Sequence, residues 1–309
     1  MRPIAILTGP TGTGKTDIAL TLAREFPIEI VSVDSAQVYR GLDIGSAKPS
    51  AQIRAQVPHH LIDLVDPAAS YSAGQFVRDA AAAIADIEAR GRIPLLVGGT
   101  MLYLRALTGG IAELPAASSE VRARIDADAA EQGWPALHSK LMTLDAAAAA
   151  RIHPNDAQRI QRALEVHATT GQPISQLQAH TRSALPREFT VVALMPADRA
   201  RLHQGLAERF AQMMAAGFVD EVRALHRRGD LTEAHPAMRA VGYRQIWAHL
   251  NGSYPLETAQ LRAVAATRQL AKRQMTWLRS MANIQSFDPY DAQSFVGIRE
   301  SLVRAFCLL

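Results

Sequence analysis

Apolar and polar positions in the first hundred residues of this chain switch repeatedly between two spacings. Ile4–Leu7 is apolar throughout and reads as a buried strand. Lys15–Glu25 then takes helical spacing, with Ile18, Leu22 and Phe26 directed inward and Asp17 and Arg24 outward. A second apolar strand, Ile28–Val33, ends at Asp34, followed by a polar loop with Tyr39, Gly41, Gly45 and Pro49. His59–Leu64 predicts a short strand, and Ala73–Arg90 an amphipathic helix facing inward with Phe76, Val77, Ala80, Ile84 and Ile87. Ile93–Val97 is another apolar strand, broken by Gly98-Gly99. Strands alternating with helices predict a parallel sheet covered on both faces, with ligands outside the carboxyl ends of its strands. Asp34 and Thr100 would stand on that rim.

The texture changes between about Ala117 and Leu185, where no β-branched run occurs and helical spacing prevails. Ser119 is a candidate cap for one helix and Asn155 or Asp156 for another, which Gly171 ends before Pro173. Ala146–Ala150 reflects high helix propensity. A strand returns at Phe189–Met195 between Pro186 and Pro196, helices run to about Met281, and Asn283–Phe287 predicts a late edge strand. The economical division is an α/β core over 1–113 and 188–309, with a helical insertion over 114–187 that would bind the polyanion inferred below. No internal repeat is present.

Between the first strand and the first helix stands Gly9-Pro10-Thr11-Gly12-Thr13-Gly14-Lys15-Thr16, which fits G-x-x-x-x-G-K-[ST] in its strand–loop–helix setting. The glycines let successive N–H groups point at one phosphate, Lys15 adds positive charge, and the Thr16 hydroxyl suits Mg²⁺ at a helix N-terminus. The fold class expected is therefore α/β: a P-loop NTPase-like parallel sheet flanked by helices, with an all-helical insertion domain. The loop should bind a di- or triphosphate, ATP included. The aspartate that usually follows a second strand in such proteins is missing, because Ile93–Val97 leads to Gly98-Gly99-Thr100. The acid on this rim is Asp34. It could hold the metal, take a proton from an attacking group, or simply cap its own turn.

Charge adds a partner. The formal net charge is +4 and the sequence pI about 9.4. No acidic residue falls between Glu257 and Asp288, whereas Arg262, Arg268, Lys272, Arg273 and Arg279 do. On a helix Arg268, Lys272 and Arg279 lie within about 40° of one another, and Trp277 lies opposite, where core packing is expected. Arg159-Ile160-Gln161-Arg162 and Arg239-Ala240-Val241-Gly242-Tyr243-Arg244 are further basic stretches. Together they point to a polyanion such as nucleic acid. The single cysteine, Cys307, excludes an internal disulfide and a cysteine zinc site. An apolar content of 48% argues against disorder. With no signal region and no membrane-length apolar run, a cytoplasmic protein is expected. His59-His60 reads as a strand-edge feature rather than a metal site.

Taken together, Gly9–Thr16, the run from Asp34-Ser35-Ala36-Gln37-Val38-Tyr39 to Pro49, Gly98-Gly99-Thr100-Met101-Leu102-Tyr103, Arg239–Arg244 and Lys272-Arg273-Gln274-Met275-Thr276-Trp277-Leu278-Arg279 resemble the bacterial tRNA dimethylallyltransferase (tRNA isopentenyltransferase) family. The resemblance runs from Ile4 to about Arg279. It implies transfer of a dimethylallyl group from dimethylallyl diphosphate to the N6 amine of the adenosine 3′ of a tRNA anticodon, with Mg²⁺ and release of diphosphate. It also implies Asp34 as general base, Thr100 against the adenosine, and Arg209 on the leaving diphosphate. Its tRNA contacts fall on Asp34, Ser35, Ala36, Gln37, Thr100, Arg122, Gln158 to Arg162, Arg239 to Arg244 and Lys272 to Arg279, in a monomer. From the residues alone two rivals stand beside it: a small-molecule kinase using ATP, and a nucleotide-sensing RNA-binding switch.

Overall fold

The structure, a computed structural model, describes residues 2–112, 114–115, 118–179, 181 and 185–307. In chain order the elements are β1 (Ile4–Thr8), α1 (Lys15–Ala23), β2 (Ile28–Val33), α2 (Ala51–Gln56), β3 (His59–His60), α3 (Ala73–Ala89), β4 (Ile93–Gly98) and α4 (Met101–Gly109). Five helices follow: α5 (Ser119–Gln132), α6 (Trp134–Leu144), α7 (Ala146–Ala149), α8 (Ala157–Thr170) and α9 (Ile174–Ala179). The chain then adds β5 (Phe189–Leu194), α10 (Arg199–Ala215), α11 (Phe218–Arg227), α12 (Tyr243–Leu250), α13 (Leu256–Arg279), β6 (Ile284–Phe287) and α14 (Ser294–Cys307). They form two compact units, Met1–Thr108 with Leu185–Leu309, and Gly109–Ala184.

In the first unit six strands form one sheet in the order β3-β2-β4-β1-β5-β6, and every pairing is parallel. Leu7 of β1 lies opposite Val97 of β4 and Val192 of β5. β1 and β2 are buried at every position, so neither alternates apolar with polar residues, although β2 carries buried Ser32 and a buried Glu29 that accepts from His60 and Arg90. Leu22 of α1 and Ile298 and Leu302 of α14 pack with Leu7, Ile28, Leu95 and Leu194. A second cluster joins Val38, Tyr39 and Leu42, in the loop after β2, to Phe210, Phe218, Val222, Tyr243 and Trp247. Each large side chain so buried contributes about 1.5–3 kcal/mol. The loop bearing Asp34 is thus anchored by its own apolar residues.

The α3 helix begins at Ser72, whose Oγ accepts from Gln75 N–H while Gln75 bonds back to Ser72 N–H. Two sequence expectations need correction. The strand at His59–Leu64 stops after His60, because Leu61 and Asp63 take positive φ (63° and 57°) and turn the chain out of the sheet. The α5 cap is Ser118, one residue earlier than expected, with Oγ accepting from Val121 N–H. Asp156, not Asn155, caps α8, and Gly171 ends it at φ 71°. His59-His60 does form an edge strand, and β6 forms the opposite edge.

The helical unit has its own core of Ile125, Leu137, Leu141, Ile160, Leu164, Val166 and Ile174. Within it Glu165 is fully buried, yet its carboxylate accepts from Ser118 N–H, Arg122 and Arg162. Those bonds hold its pKa below the ordinary glutamate range against the opposing effect of burial, which is the larger single influence.

Candidate active site

The phosphate loop is shaped by close contact. Gly9 has φ 151°, and a Cβ there would lie 2.8 Å from Leu194 O. Gly12 has φ 81°, and a Cβ there would meet Leu206 at 2.7 Å. Gly14 precedes α1 in the left-handed region at φ 78°. These positions demand glycine, which is why the motif can be read from sequence. The Thr13 hydroxyl donates to Pro10 O (2.8 Å), bracing the loop from within. Lys15 Nζ donates to Gly9 O (2.9 Å) and Pro10 O (2.7 Å). Burial first, and then the charge of Arg209, lower the Lys15 pKa to about 7, against an upward pull from Asp34. Burial also draws the Arg209 pKa below its ordinary range, opposed by Asp34 and Asp17.

Asp34 does two things at once. Its Oδ1 accepts from Ala36 N–H (2.8 Å) and Gln37 N–H (3.2 Å), so the capping reading is correct. Among the described residues no donor reaches Oδ2, and the residue lines two cavities. One cavity, of about 540 Å³, is lined by Thr11 to Thr16, Asp34, Gln37, Lys48, Arg209 and Gln212. The other, of about 500 Å³, is lined by Asp34, Ser35, Ala36, Thr100, Phe210, Met213, Arg239, Ala240, Val241, Tyr243, Arg273 and Trp277. Asp34, Arg209, Gln274, Thr11, Ser46 and Gly99 belong to both. A pocket walled by the phosphate loop, with Lys15 and Arg209 against Asp17 and Asp34, and a more apolar one that adds Arg239 and Arg273 therefore meet at a carboxylate and a guanidinium.

The walls are held by bonds that sequence reading did not anticipate. Lys48, only 2% exposed at its side chain, donates to Tyr39 O (2.9 Å), Asp43 (2.6 Å) and Asp63 (2.6 Å). Glu221 on α11 accepts from the backbone N–H groups of Asp43, Ile44 and Gly45 and from Tyr243 OH (2.5 Å). Gln37 Nε2 donates to Ser46 O and Ala47 O. Thr100 Oγ1 accepts from Ser35 N–H (3.0 Å), and its hydroxyl reaches Ser35 Oγ (3.3 Å). No spacing rule marks Glu221, because its backbone partners lie 176 to 178 residues away in sequence.

The remaining site candidates divide by exposure. On α13, Lys272, Arg273, Thr276 and Arg279 are exposed, whereas Gln274, Met275 and Leu278 are buried. Arg268, Lys272 and Arg279 line one groove together with Arg199 and His203 of α10. Trp277 faces the more apolar cavity rather than the core, with the Arg105 guanidinium 5.6 Å from its ring centre. Arg239 and Arg244 are exposed, while Gly242 and Tyr243 are buried. In the helical unit Gln158 and Arg159 are exposed, Arg159 pairing with Asp156, and Ile160 is buried. Gln161 donates to Asp126, and Arg122 and Arg162 share Glu165. Buried members of these stretches shape the backbone; only the exposed ones could meet a polyanion directly.

Strand, glycine loop and helix, set at the carboxyl edge of a parallel sheet, define a protein of P-loop NTPase-like fold. A family model described as IPP transferase matches residues 37–281, and one described as Isopentenyl transferase matches 2–57. A tRNA dimethylallyltransferase of Alkalilimnicola ehrlichii is 59% identical over 277 residues, covering 90% of this chain and 87% of its own length. The solved tRNA isopentenylpyrophosphate transferase of Bacillus halodurans superposes with a TM-score of 0.70 at 35% identity, covering 99% of this chain and 98% of that one. A solved eukaryotic dimethylallyltransferase, described as acting on tRNA, gives a TM-score of 0.81 at 26% identity, covering 98% and 78%. The chain belongs to the tRNA dimethylallyltransferase family and is a transferase. Among the described residues no helix is long and apolar enough to cross a membrane.

Proposed function

We propose that this protein transfers a dimethylallyl group from dimethylallyl diphosphate to the exocyclic N6 of the adenosine 3′ of a tRNA anticodon. The observation that carries this reading is the meeting of two cavities at Asp34 and Arg209. The phosphate-loop side suits a diphosphate, held by the loop N–H groups, Lys15 and Arg209. Leu206, Phe210 and Met213 offer the prenyl tail an apolar wall, and Thr100, Ala240 and Val241 flank the entry for a purine. An adenosine would have to leave the loop stack to reach Asp34, which costs a few kcal/mol and is easiest from a single-stranded loop.

As the new C–N bond forms at the allylic carbon, the C–O bond to diphosphate breaks. The amine proton passes to Asp34 Oδ2, the oxygen not occupied by its own turn. Negative charge gathers on the departing diphosphate and meets Lys15, Arg209 and the loop N–H groups. The residues also fit Mg²⁺. Among the described residues, Thr16 stands exposed at the α1 N-terminus with its hydroxyl free of hydrogen bonds, and no group of three or more His, Cys, Asp or Glu side chains offers another metal site. Such an ion would be held by Thr16 together with diphosphate oxygens and would neutralise leaving-group charge.

The test is incubation with dimethylallyl diphosphate, Mg²⁺ and unmodified tRNA, followed by mass analysis of the nucleosides. One prenyl unit gained on adenosine is the expected result. Asp34→Asn should cut turnover about 10²–10⁴-fold while RNA affinity stays largely intact. Phosphoryl transfer from ATP without prenylation would replace this reading with the kinase one.

A further inference from the structure

Gln274 sits on α13 with 8% of its surface exposed and lines both cavities. Its Oε1 accepts from Thr11 N–H (3.0 Å), and its Nε2 donates to Gly99 O (2.8 Å). The amide orientation is unambiguous, because a backbone N–H can only donate and a carbonyl can only accept. Contact is tight as well: a Cβ on Gly99 would lie 2.6 Å from Gln274 Nε2 and 2.9 Å from Gly9 O. From Gly99 the chain passes to Thr100, whose hydroxyl bonds to Ser35 beside Asp34. A continuous run of hydrogen bonds and peptide links therefore joins the phosphate loop, α13, the Thr100 turn and the general-base candidate. The same helix carries exposed Arg273 on the wall of the more apolar cavity, and exposed Lys272 and Arg279 in the groove with α10.

We propose that Gln274 is a positioning residue that couples RNA engagement along α13 to the grip of the phosphate loop on the diphosphate. This rests on the function proposed above for the two substrates, but its test does not depend on turnover. A helix shifted by a bound polyanion moves Thr11 and Gly99 together through one side-chain amide, so each ligand alters the site of the other. Such coupling is reciprocal by thermodynamic necessity.

The experiment measures affinity for an anticodon stem-loop RNA with and without inorganic diphosphate and Mg²⁺, and affinity for diphosphate with and without that RNA. In the wild type each ligand should tighten the other by about fivefold or more, equally in both directions. Gln274→Met keeps the length and loses both hydrogen bonds; its coupling should fall to within about twofold in both directions. Gln274→Glu keeps the acceptor for Thr11 but sets an oxygen against Gly99 O, so its coupling should also fall, less completely. Thermal melting shows whether each variant is folded, and if Gln274→Met is not, Gln274→Glu decides. Coupling that persists undiminished in a folded variant, or that is absent from the wild type, overturns the inference. If prenylation fails but the coupling and its loss are observed, the functional reading falls and the role of Gln274 stands.

Discussion

Lys15 shows how one residue's setting becomes a measurable property. Burial and the neighbouring Arg209 bring its pKa from the usual lysine value of 10.5 to about 7, so at pH 8 much of it is neutral. A bound diphosphate favours the charged form and raises that pKa, so binding must take up a proton between about pH 7 and the ordinary lysine value. Diphosphate affinity should therefore fall as pH rises through that window. Calorimetric titration at pH 8 in two buffers of different ionisation heat should show proton uptake in the wild type that Lys15→Met lacks. Equal uptake by both proteins would remove Lys15 from the linkage. Asp34 teaches a second lesson at this scale. From sequence, metal binding, proton transfer and capping stand as alternatives for Asp34, whereas two carboxylate oxygens let capping coexist with either of the others, Oδ1 being held by Ala36 and Gln37 N–H while the residue lines both cavities.

Local signals are reliable where the physics is local. The left-handed Gly14 that opens α1, the α8 cap at Asp156 and its end at Gly171 depend on residues within a few positions of one another and are legible, whereas Gly9 and Gly12 of the same loop also answer to distant Leu194 and Leu206. The strand predicted over His59–Leu64 fails because its end is set by distant partners: Asp63 takes φ 57° where Lys48 and Arg54 hold its carboxylate. Glu221 is the corresponding case for the loop after β2. Its carboxylate receives three consecutive backbone N–H groups and the Tyr243 hydroxyl, tying Asp43–Gly45 to α11 and α12. Glu221→Ala should cost about 2–4 kcal/mol, given the usual worth of hydrogen bonds to a charged acceptor. Urea unfolding measures this, and a loss below about 0.5 kcal/mol would show the tether to be idle.

Across the whole molecule, the basic residues are not one surface. The α13 helix directs Arg273 and Trp277 toward the cavity with Asp34, and Arg268, Lys272 and Arg279 toward the groove with Arg199 and His203. The helical spacing that separates these two sets is readable from the chain, but what each set faces is not; Trp277, expected in the core, lines the cavity. For the second set the proposed partner is the RNA backbone. Lys272→Ala should weaken RNA binding and lower the slope of log affinity against log salt by about one, leaving diphosphate affinity unchanged. A slope identical to the wild type would place Lys272 outside the interface.

The chain by itself determined the α/β succession, the anion-binding loop and the excess of cations on α13, because burial on both faces of a strand, positive φ at glycine and helical spacing each leave their mark within a short stretch. The strand succession already set Asp34 and Thr100 on one rim, but tertiary structure alone decided that Arg209 and Gln274 meet them there. These residues come from β2, α10, α13 and β4 margins, and their encounter follows from sheet order and helix packing. Those depend on the summed burial of many side chains, which no single segment records.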